Sequence, residues 1–479
     1  MTIHRPHYCL ARVTLEALSA HGIHSGQGDF THDVLLVRDA NGLPALPGSS
    51  VAGVLRQAYR NQHGEAAANT LFGCGGRNAA ASWLNVSWAL VHDSTDTPVE
   101  GLRGDLDSDP LLARLLDDKP LVRQRVRLEH TGTAADKGKF DVTLIPAGVR
   151  YTGWLSYWCD GSEASCAHWQ ALLELLNGPP LRLGHGTRSG NGHFKVIELA
   201  QARWDLREPA GHQAFVQRPR SRSQRQGLKA FSDCTRQSTP SLTLKLRAEG
   251  GWRVGSGEQW LNDPGQAAHA DDVRQPDLLP QHEYRAVWSG AQHGQQRGEW
   301  SAHYHLLPAS AVKGALRHRV AYHYRCLSSD FAEAGKDAAP ETCPAVVELF
   351  GHANDDDARA GVLVFHDVCL HAAQCGQWMH NRIDRFTGGV INGALFSEEV
   401  LWQTPLDLHI DVLPAAAHVS ADARKALART LDDLARGWLP LGASGSRGLG
   451  SFIGQGDQAL QWSDQGEWIN ATPATENAA

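Results

Sequence analysis

Two segments of the chain begin with proline followed by small and hydroxyl residues, and both are suited to binding phosphate. Residues 46–56 and 307–317 share the pattern L-P-x-S-x-V-x-G-x-L-R, with seven identities in eleven positions. The unpaired N–H groups of a first helical turn bind anions, and a cation further along the helix adds charge. The candidate phosphate-binding residues are Gly48, Ser49, Ser50 and Arg56 in the first segment and Ser310, Lys313 and Arg317 in the second. The alternative interpretation is an ordinary helix N-cap followed by a surface arginine.

Two glycine-rich loops form the second pair of candidate binding elements. Residues 184–192 and 442–450 each contain an arginine among four glycines. Glycine permits positive φ and close approach of another backbone, so a sugar–phosphate chain can lie against such a loop. The candidate contacts are Gly186, Arg188, Gly190, Arg447 and Gly448. Neither loop has the G-x-x-x-x-G-K-[ST] pattern of nucleotide-binding loops or the G-x-S-x-G pattern of hydrolases, so both classes are disfavoured.

Histidines and cysteines after the second helix start are candidates for a metal site. His318, His323, Cys326 and Cys343 offer imidazole and thiolate ligands, which suit Zn²⁺. The C-x16-C spacing is not diagnostic, and buried cysteines without a metal are common, so a zinc site and ordinary core cysteines remain alternatives. In addition, Trp252, Trp288 and Trp300 lie in inserted segments, where tryptophan can stack on bases.

The order of these motifs indicates that the chain is a tandem duplication. Between the helix start and the glycine loop, each copy has the same three further landmarks in the same order. These are Leu-Phe-Gly at 71–73 and 349–351, an apolar run ending in His-Asp at 86–93 and 362–367, and a charged segment at 127–131 and 382–387. The copies run from about residue 8 to 203 and from about 241 to 465.

The elements that must position these motifs follow one order in each copy. Hydrophobic periodicity predicts strand, helix, strand, strand, helix, strand, which is the ferredoxin-like order. The predicted fold class is therefore α+β, with two ferredoxin-like domains in tandem and long insertions. The predicted boundaries are 1–205 for the first domain, 206–240 for a basic linker or arm, 241–465 for the second domain and 466–479 for a polar tail.

Composition limits the function further. The 479 residues are 42% hydrophobic and 20% charged, which excludes collagen-like and wholly disordered chains. The formal charge is −7, so binding to nucleic acid must depend on local basic patches. The chain has no apolar stretch long enough for a membrane span, no recognisable signal peptide and an odd number of scattered cysteines, so we expect a cytoplasmic protein with no membrane partner.

The helix-start pattern followed by Leu-Phe-Gly, together with the late glycine loop and its arginine, resembles the RAMP superfamily of CRISPR-associated proteins. The closer likeness is to the backbone subunits of type III effector complexes. The resemblance implies RNA-recognition-motif-like cores that bind guide (CRISPR) RNA beside other RAMP-type subunits. It also implies that the serine helix and the glycine loop contact the guide, and that a hairpin thumb interrupts the duplex between guide and single-stranded target RNA.

The resemblance further implies metal-dependent cleavage of target RNA. In relatives that cut, an aspartate lies on a loop shortly before the proline–glycine–serine turn, and Asp33 lies fourteen residues before Pro47. A carboxylate near the scissile phosphate can hold Mg²⁺ and align the 2′-hydroxyl. In the second copy the spacing is broken, and Asp271 and Asp272 are the candidates. The alternatives are a non-catalytic guide-binding subunit and a metal-independent guide-processing endoribonuclease that uses histidine chemistry.

Overall fold

The protein consists of two halves, each built on an antiparallel β-sheet, in a computed structural model of the chain. The structure describes residues 5–26, 35–77, 79–130, 132–232, 239–255, 276–292, 295–330, 342–352, 358–371, 373–456 and 458–471. None of the helices in these ranges has the length and apolar composition that crossing a bilayer requires.

The first half and the segment that follows it contain the first ten strands. The strands and helices of the first half are β1 (His7–Ala17), β2 (Ala45–Leu46), α1 (Gly48–Phe72), β3 (Leu84–Val86), β4 (Ala89–Val91), α2 (Pro110–Leu115), β5 (Leu121–Leu128), β6 (Ala134–Leu144), β7 (Arg150–Cys159), α3 (Glu163–Leu176), β8 (Leu181–Arg182) and β9 (His193–Asp205). The following segment contains α4 (Pro209–Val216) and β10 (Lys229–Ala230).

The second half contains the remaining elements. They are β11 (Ser241–Ala248), β12 (Gly251–Trp252), β13 (His282–Glu283), β14 (Ala286–Gln292), β15 (Gln295–Trp300), β16 (Tyr304–Leu307), α5 (Ala309–Ser328), α6 (Pro344–Phe350), β17 (Gly351–His352), β18 (Arg359–Ala360), β19 (Leu363–Phe365), β20 (Val368–Leu370), β21 (Gln374–His380), β22 (Phe396–Trp402), β23 (Pro405–Val412), α7 (Ala421–Ala435), β24 (Phe452–Gly454), β25 (Leu460–Trp462) and α8 (Glu467–Asn470). Helices packed on antiparallel strands confirm the mixed α and β composition predicted from the sequence.

The two main sheets have the same strand order. In the first sheet, β1 lies between β9 and β7, and β4 pairs with the far edge of β7. In the second sheet, β11 lies between β24 and β23, and β19 pairs with the far edge of β23. All of these pairs are antiparallel. The first strand of each half therefore occupies the centre of its sheet.

Alternation of side chains explains how the second sheet forms its core. In β11, Leu242, Leu244 and Leu246 are buried, whereas the intervening residues are at least partly exposed. In β23, every second residue is buried in the same way. Residues of α5 and α7 belong to the same buried cluster, so one face of this sheet carries the helices.

The first sheet is covered on both faces, because the segment that follows β9 folds back on it. Arg12 of β1 is only 1% exposed, and its Nε donates a hydrogen bond to the carbonyl oxygen of Arg222. Arg222 and Arg225 form ion pairs with Glu100 and Glu198 of the first half, and β10 pairs with β9. The described part of segment 206–240, predicted as a linker or arm, is thus packed on the first half. Residues 466–471 of the predicted tail include α8.

Within the described residues, three hairpins with strands of six residues or more extend from this framework. The hairpin β5–β6 precedes β7, and the hairpin β21–β22 precedes β23, so the two occupy equivalent places in their halves. The third hairpin, β14–β15, packs on the first half, where the Trp288 indole donates to the carbonyl oxygen of Gly148 at 2.8 Å. The second half is therefore attached to the first by one of its own insertions.

Candidate nucleic-acid interface

The two glycine loops are held by matching backbone hydrogen bonds. The N–H of His185 donates to Gly22 at 2.9 Å, and the N–H of Ala443 donates to Arg253 at 2.7 Å. A Cβ at Gly184 or at Gly442 would lie 2.3 Å from the same two carbonyl oxygens, so glycine is required at both positions. Further along, two N–H groups of the first loop donate hydrogen bonds to the carbonyl oxygen of Gly186. Two N–H groups of the second loop donate in the same way to the carbonyl oxygen of Ser444. The loops therefore have equivalent geometry.

The two helix starts are less alike than their sequences suggest. At the start of α1, a Cβ on the buried Gly48 would lie 2.0 Å from the carbonyl oxygen of Val86, so glycine permits the contact between α1 and β3. Ser49 is exposed and Ser50 is half-buried. At the start of α5, the N–H of Ala309 already donates to Asp367 at 2.8 Å, next to the half-buried Ser310.

Arg56 makes a structural contact with the Leu-Phe-Gly segment of its own copy. Its Nη1 donates to the carbonyl oxygen of Gly73 at 2.8 Å, and its Nη2 donates to Glu65 at 3.0 Å. The guanidinium thereby ties the third turn of α1 to the end of that segment, across a break at Gly64, where the backbone is not helical. Much of its hydrogen-bonding capacity is used within the fold.

The first glycine loop packs against the helix start of the second half. A Cβ on Gly190, which has φ of +94°, would lie 2.3 Å from Asp367 Oδ1 and 2.7 Å from the Cβ of Ala309. Arg188 Nε donates to the carbonyl oxygen of Gly361 at 2.6 Å, and Ser189 forms a parallel bridge with Phe365. The predicted loop and the predicted helix start thus come from different halves and meet at one junction.

Four cationic side chains converge at this junction. They are Arg125 of β5, Arg188 of the first loop, and Lys313 and Arg317 of α5, and we call them the junction cluster. Burial and the nearby charges of Arg317, Arg188 and Arg125 lower the pKa of Lys313 to about 8. Burial and Arg123 lower the pKa of Arg125 to about 10. A bound anion would relieve this repulsion, because an opposite charge favours the cationic forms.

The carboxylates near Arg125, Glu283 and Asp367, have another partner. Arg123 lies on the same strand as Arg125 and bonds to Glu283 at 2.6 Å and to Asp367 at 2.8 Å. In contrast, Nε and Nη2 of Arg125 are buried and have no hydrogen-bond partner among the described residues. The site therefore contains buried donors suited to an acceptor such as a phosphate oxygen.

A cavity of about 2150 Å³ opens between the halves beside the junction. Both halves contribute to its lining, including Arg182 and His193 from the first and His366 and Asp411 from the second. Arg182 and His366 bond to Asp411 at 2.7 and 2.8 Å. Burial alone would raise the pKa of Asp411. The hydrogen bonds and positive charges of His366 and Arg182 outweigh burial and lower this pKa to about 2.

The second glycine loop has no such neighbour among the described residues. Arg447 and Gly448 are exposed, and a Cβ at Gly448 would meet no described atom within 4 Å. The surface that the first loop uses to contact the second half is therefore open in the second loop.

The three predicted catalytic aspartates, Asp33, Asp271 and Asp272, lie outside the described residues. The flanks of their segments are equivalent, however. The N–H of Val37 donates to Ile23 at 2.8 Å, and the N–H of Gln281 donates to Val254 at 2.6 Å. Both flanks are next to the residues that hold the glycine loops. This equivalence could not be predicted from the spacing of residues in the sequence, because the two segments differ in length.

The four predicted zinc ligands have varied surroundings. His323 Nε2 lies 2.7 Å from Asp433, and Cys343 is buried at the start of α6. His318 and Cys326 are half-buried on α5. Within the described ranges, the group of three possible metal ligands whose atoms lie within 4.8 Å of one another is elsewhere, at His305, Cys375 and Glu399.

The prediction that three tryptophans stack on bases is wrong for Trp252, which is fully buried in the second core. The other two are partly buried against the first core. Trp300 donates its indole N–H to Pro110 of the first half at 3.0 Å, as Trp288 does to Gly148. These residues attach the hairpin β14–β15 to the first half. The sequence alone does not indicate whether a tryptophan in an insertion is exposed or packs against another part of the protein.

Comparisons with known proteins agree with the duplicated organisation. The model of the RAMP superfamily matches residues 14–195 and 303–453. No curated protein matches the chain. Similar solved structures include a type III-B Cmr-beta complex in the apo state, at 13% identity, and one bound to cognate target RNA, at 11% identity. Each covers 39% of this chain and 96% of the other chain, with a TM-score of 0.30. Because the family model matches more than half of the chain in two separate regions, the protein belongs to the RAMP superfamily and has two RAMP domains.

Proposed function

We propose that the protein is a guide-RNA-binding backbone subunit of a type III CRISPR interference complex. The observation that carries the proposal is the junction cluster, where the glycine loop of one RAMP domain and the helix start of the other bring four cations together. These are the two elements that the family resemblance assigns to guide binding. A single phosphate at this point would contact both domains.

Both halves fit a ferredoxin-like core. Counting the four main strands of each half in chain order, the sheets are arranged 4-1-3-2, with β9-β1-β7-β4 in the first and β24-β11-β23-β19 in the second. The order β-α-β-β-α-β along the chain is that of the ferredoxin-like fold. This arrangement supports the family assignment of an RNA-recognition-type domain.

The open second loop supports a position within a row of RAMP-type subunits. Since Gly190 receives the helix start of the second half, the equivalent and exposed Gly448 is suited to receive the helix start of a further RAMP-type subunit. The exposed Ser49 of the first half would face the loop of a preceding subunit in the same way. Each such contact would create another composite phosphate site.

The hairpins β5–β6 and β21–β22 are suited to the role of thumbs. The tip of the second hairpin exposes several apolar side chains that are costly to leave in water: Met379, Ile383, Phe386, Val390 and Leu395. Phe386 is 84% exposed. An apolar wedge of this kind can separate stacked base pairs, which is what a thumb between guide and target requires.

We further propose that the protein cleaves the target RNA. Asp33 would hold Mg²⁺ near the scissile phosphate, and Asp271 or Asp272 would do so in the second domain. The matching flanks of the two segments support a common origin for these sites. The ion would stabilise the developing charge and orient the attacking 2′-hydroxyl.

Guide binding is tested with the double variant Lys313→Ala/Arg317→Ala, measured by fluorescence anisotropy on a labelled guide-length RNA across salt concentrations. We expect affinity to fall about tenfold or more and the salt slope to decrease, because phosphate contacts are lost. The control is Lys425→Ala, which removes an exposed cation from α7. Equal affinities and slopes for the two variants would contradict guide binding at the junction.

A further inference from the structure

Three side chains with metal-ligating atoms meet at the base of the second hairpin. His305 lies on β16, Cys375 on β21 and Glu399 on β22, and their ligand atoms are all within 4.8 Å of one another. The strand β16 pairs with β13 and β20, whereas β21 and β22 belong to a different sheet with β12. The group therefore joins two sheets that do not share backbone hydrogen bonds.

The separation of the nitrogen and sulfur atoms fits a shared metal ion. His305 Nε2 lies 3.4 Å from Cys375 Sγ. A tetrahedral zinc with ordinary Zn–N and Zn–S bonds holds these two atoms about 3.6 Å apart. A small adjustment of either side chain is enough to reach that geometry. The combination of sulfur, imidazole and carboxylate ligands suits Zn²⁺, whereas Mg²⁺ and Ca²⁺ prefer oxygen ligands alone.

A nucleophilic cysteine activated by histidine is the main alternative, and the geometry disfavours it. Such a pair needs the far nitrogen of the imidazole to be held by a third group. Here His305 Nδ1 is buried and has no hydrogen-bond partner in the described part of the chain. The carboxylate of Glu399 instead lies within 4.8 Å of Cys375 Sγ, where both can bind the same metal ion.

A small cavity beside the group provides room for a fourth ligand. Its volume is about 230 Å³, and its lining includes His282, His303, His305 and Glu399. His282 is the cross-strand neighbour of His305. A water molecule in this cavity can complete a tetrahedral zinc site, with His282 beside it.

We propose that His305, Cys375 and Glu399 bind one Zn²⁺ ion, with its fourth position open to the cavity. The ion fastens the hairpin β21–β22 to β16, which continues through Pro308 into α5 and its Lys313. The site goes beyond the proposed function, because zinc binding requires neither RNA nor a partner subunit. It also differs from the zinc group expected from the sequence at His318, His323, Cys326 and Cys343.

The first test measures the zinc content of the purified full-length chain by plasma mass spectrometry. We expect one zinc per chain, absent from His305→Gln and from Cys375→Ser. Zinc should be retained in Cys369→Ser, which alters an exposed cysteine of β20, and in Cys326→Ser/Cys343→Ser. A wild-type chain that takes up no zinc on titration, or a Cys375→Ser chain that retains its zinc, overturns the proposal.

The second test uses the wild-type chain and so does not depend on how a variant folds. The alkylation rates of Cys375 and Cys369 are compared by mass spectrometry, with zinc present and after chelation. Zinc should slow the alkylation of Cys375 by about tenfold or more, because a thiolate bound to a metal is a weaker nucleophile. The alkylation rate of Cys369 should not change. Equal effects on the two cysteines would rule out coordination by Cys375.

Discussion

Gly190 and Gly448 occupy equivalent positions in the two glycine loops but have opposite surroundings. A Cβ on Gly190 would lie 2.3 Å from Asp367 Oδ1, whereas one on Gly448 would meet no described atom within 4 Å. The difference arises because the first loop packs on the helix start of the following domain and the second loop is open. Under the proposed function, the second loop would make with a further subunit the contact that the first loop makes with the following domain.

Alanine substitutions should separate the two roles of these glycines. Both residues have positive φ, at +94° and +86°, so alanine costs about 1–2 kcal/mol at either position. Gly190→Ala adds a clash with Asp367 and Ala309, and overpacking costs about 1–3 kcal/mol more. Thermal unfolding of the isolated chain should therefore show a larger loss for Gly190→Ala than for Gly448→Ala. Equal losses would mean that the contact between the domains is looser than the structure shows.

The duplication and the motifs were predictable from the sequence because each is a local pattern. The equivalent hydrogen bonds to Gly22 and Arg253 follow directly from glycines that recur at matching places in the two loops. The partner of each motif was not predictable. Nothing in the spacing indicates that Arg188 lies near Lys313 of the other domain, because this depends on how the two halves pack.

The surroundings of residues in the inserted segments were also not predictable from the sequence. Trp252, Trp288 and Trp300 lie in inserted segments, yet one is in the core and the other two hold a hairpin on the first half. The ligand group at His305 was missed because its members are on three strands separated by 70 and 24 positions in the chain. Local spacing cannot identify ligands that only a sheet arrangement brings together.

The buried Arg123 should be essential for the stability of the junction. Arg123→Met leaves Glu283 and Asp367 buried without their cation, and removing one partner of a buried ion pair costs about 3–5 kcal/mol. Burial raises the pKa of Glu283, so the loss in unfolding free energy should be smaller at pH 5 than at pH 8, because a protonated carboxyl costs less to bury. Denaturant unfolding at the two pH values measures both effects.

The control for this experiment is Arg436→Met, which breaks an exposed pair with Asp432. Pairs of this kind contribute about 0–1 kcal/mol, and this one should show little dependence on pH. If Arg123→Met is no more destabilising than Arg436→Met, the buried network does not hold the domains together.

Guide affinity should fall as pH rises through the pKa of Lys313, which is about 8 in the free protein. The lysine is mostly charged at pH 7 and mostly neutral at pH 9, so a charge-assisted contact to phosphate is lost, at a cost of about tenfold in affinity. The stability of the RNA-free chain should change in the opposite direction and increase as pH rises. The pKa of Lys313 is below its unfolded value, so the unfolded state binds more protons and stability rises with pH in this range.

Anisotropy titrations of labelled RNA at pH 7, 8 and 9 measure the loss of affinity. In Lys313→Arg the profile should become nearly flat, because a guanidinium stays charged throughout. A wild-type profile that is already flat, or an arginine variant as steep as wild type, would show that Lys313 does not contact the RNA.

Cleavage should depend on Asp33 and on a divalent cation, whereas guide binding should depend on neither. In Asp33→Ala, we expect one target cleavage position to disappear while the affinity for guide RNA is unchanged, because the carboxylate would hold Mg²⁺ and not the guide backbone. The matched control is Asp39→Asn. Asp39 Oδ1 accepts the N–H groups of Asn41 and Leu43 at 2.8 and 3.0 Å, so this nearby acid serves a turn, and an amide keeps the acceptor. Both variants are compared on sequencing gels of end-labelled target RNA paired with bound guide.

The same assay separates the three candidate activities when a chelator is added. Metal-dependent target cleavage should stop with the chelator and resume with added Mg²⁺, as a carboxylate-bound cation requires. Cutting that continues in the chelator and acts on guide precursors would identify histidine-based processing instead. If Asp33→Ala leaves every cleavage product unchanged, the first domain is a structural guide-binding unit. The double variant Asp271→Ala/Asp272→Ala then determines whether the second domain supplies the cut.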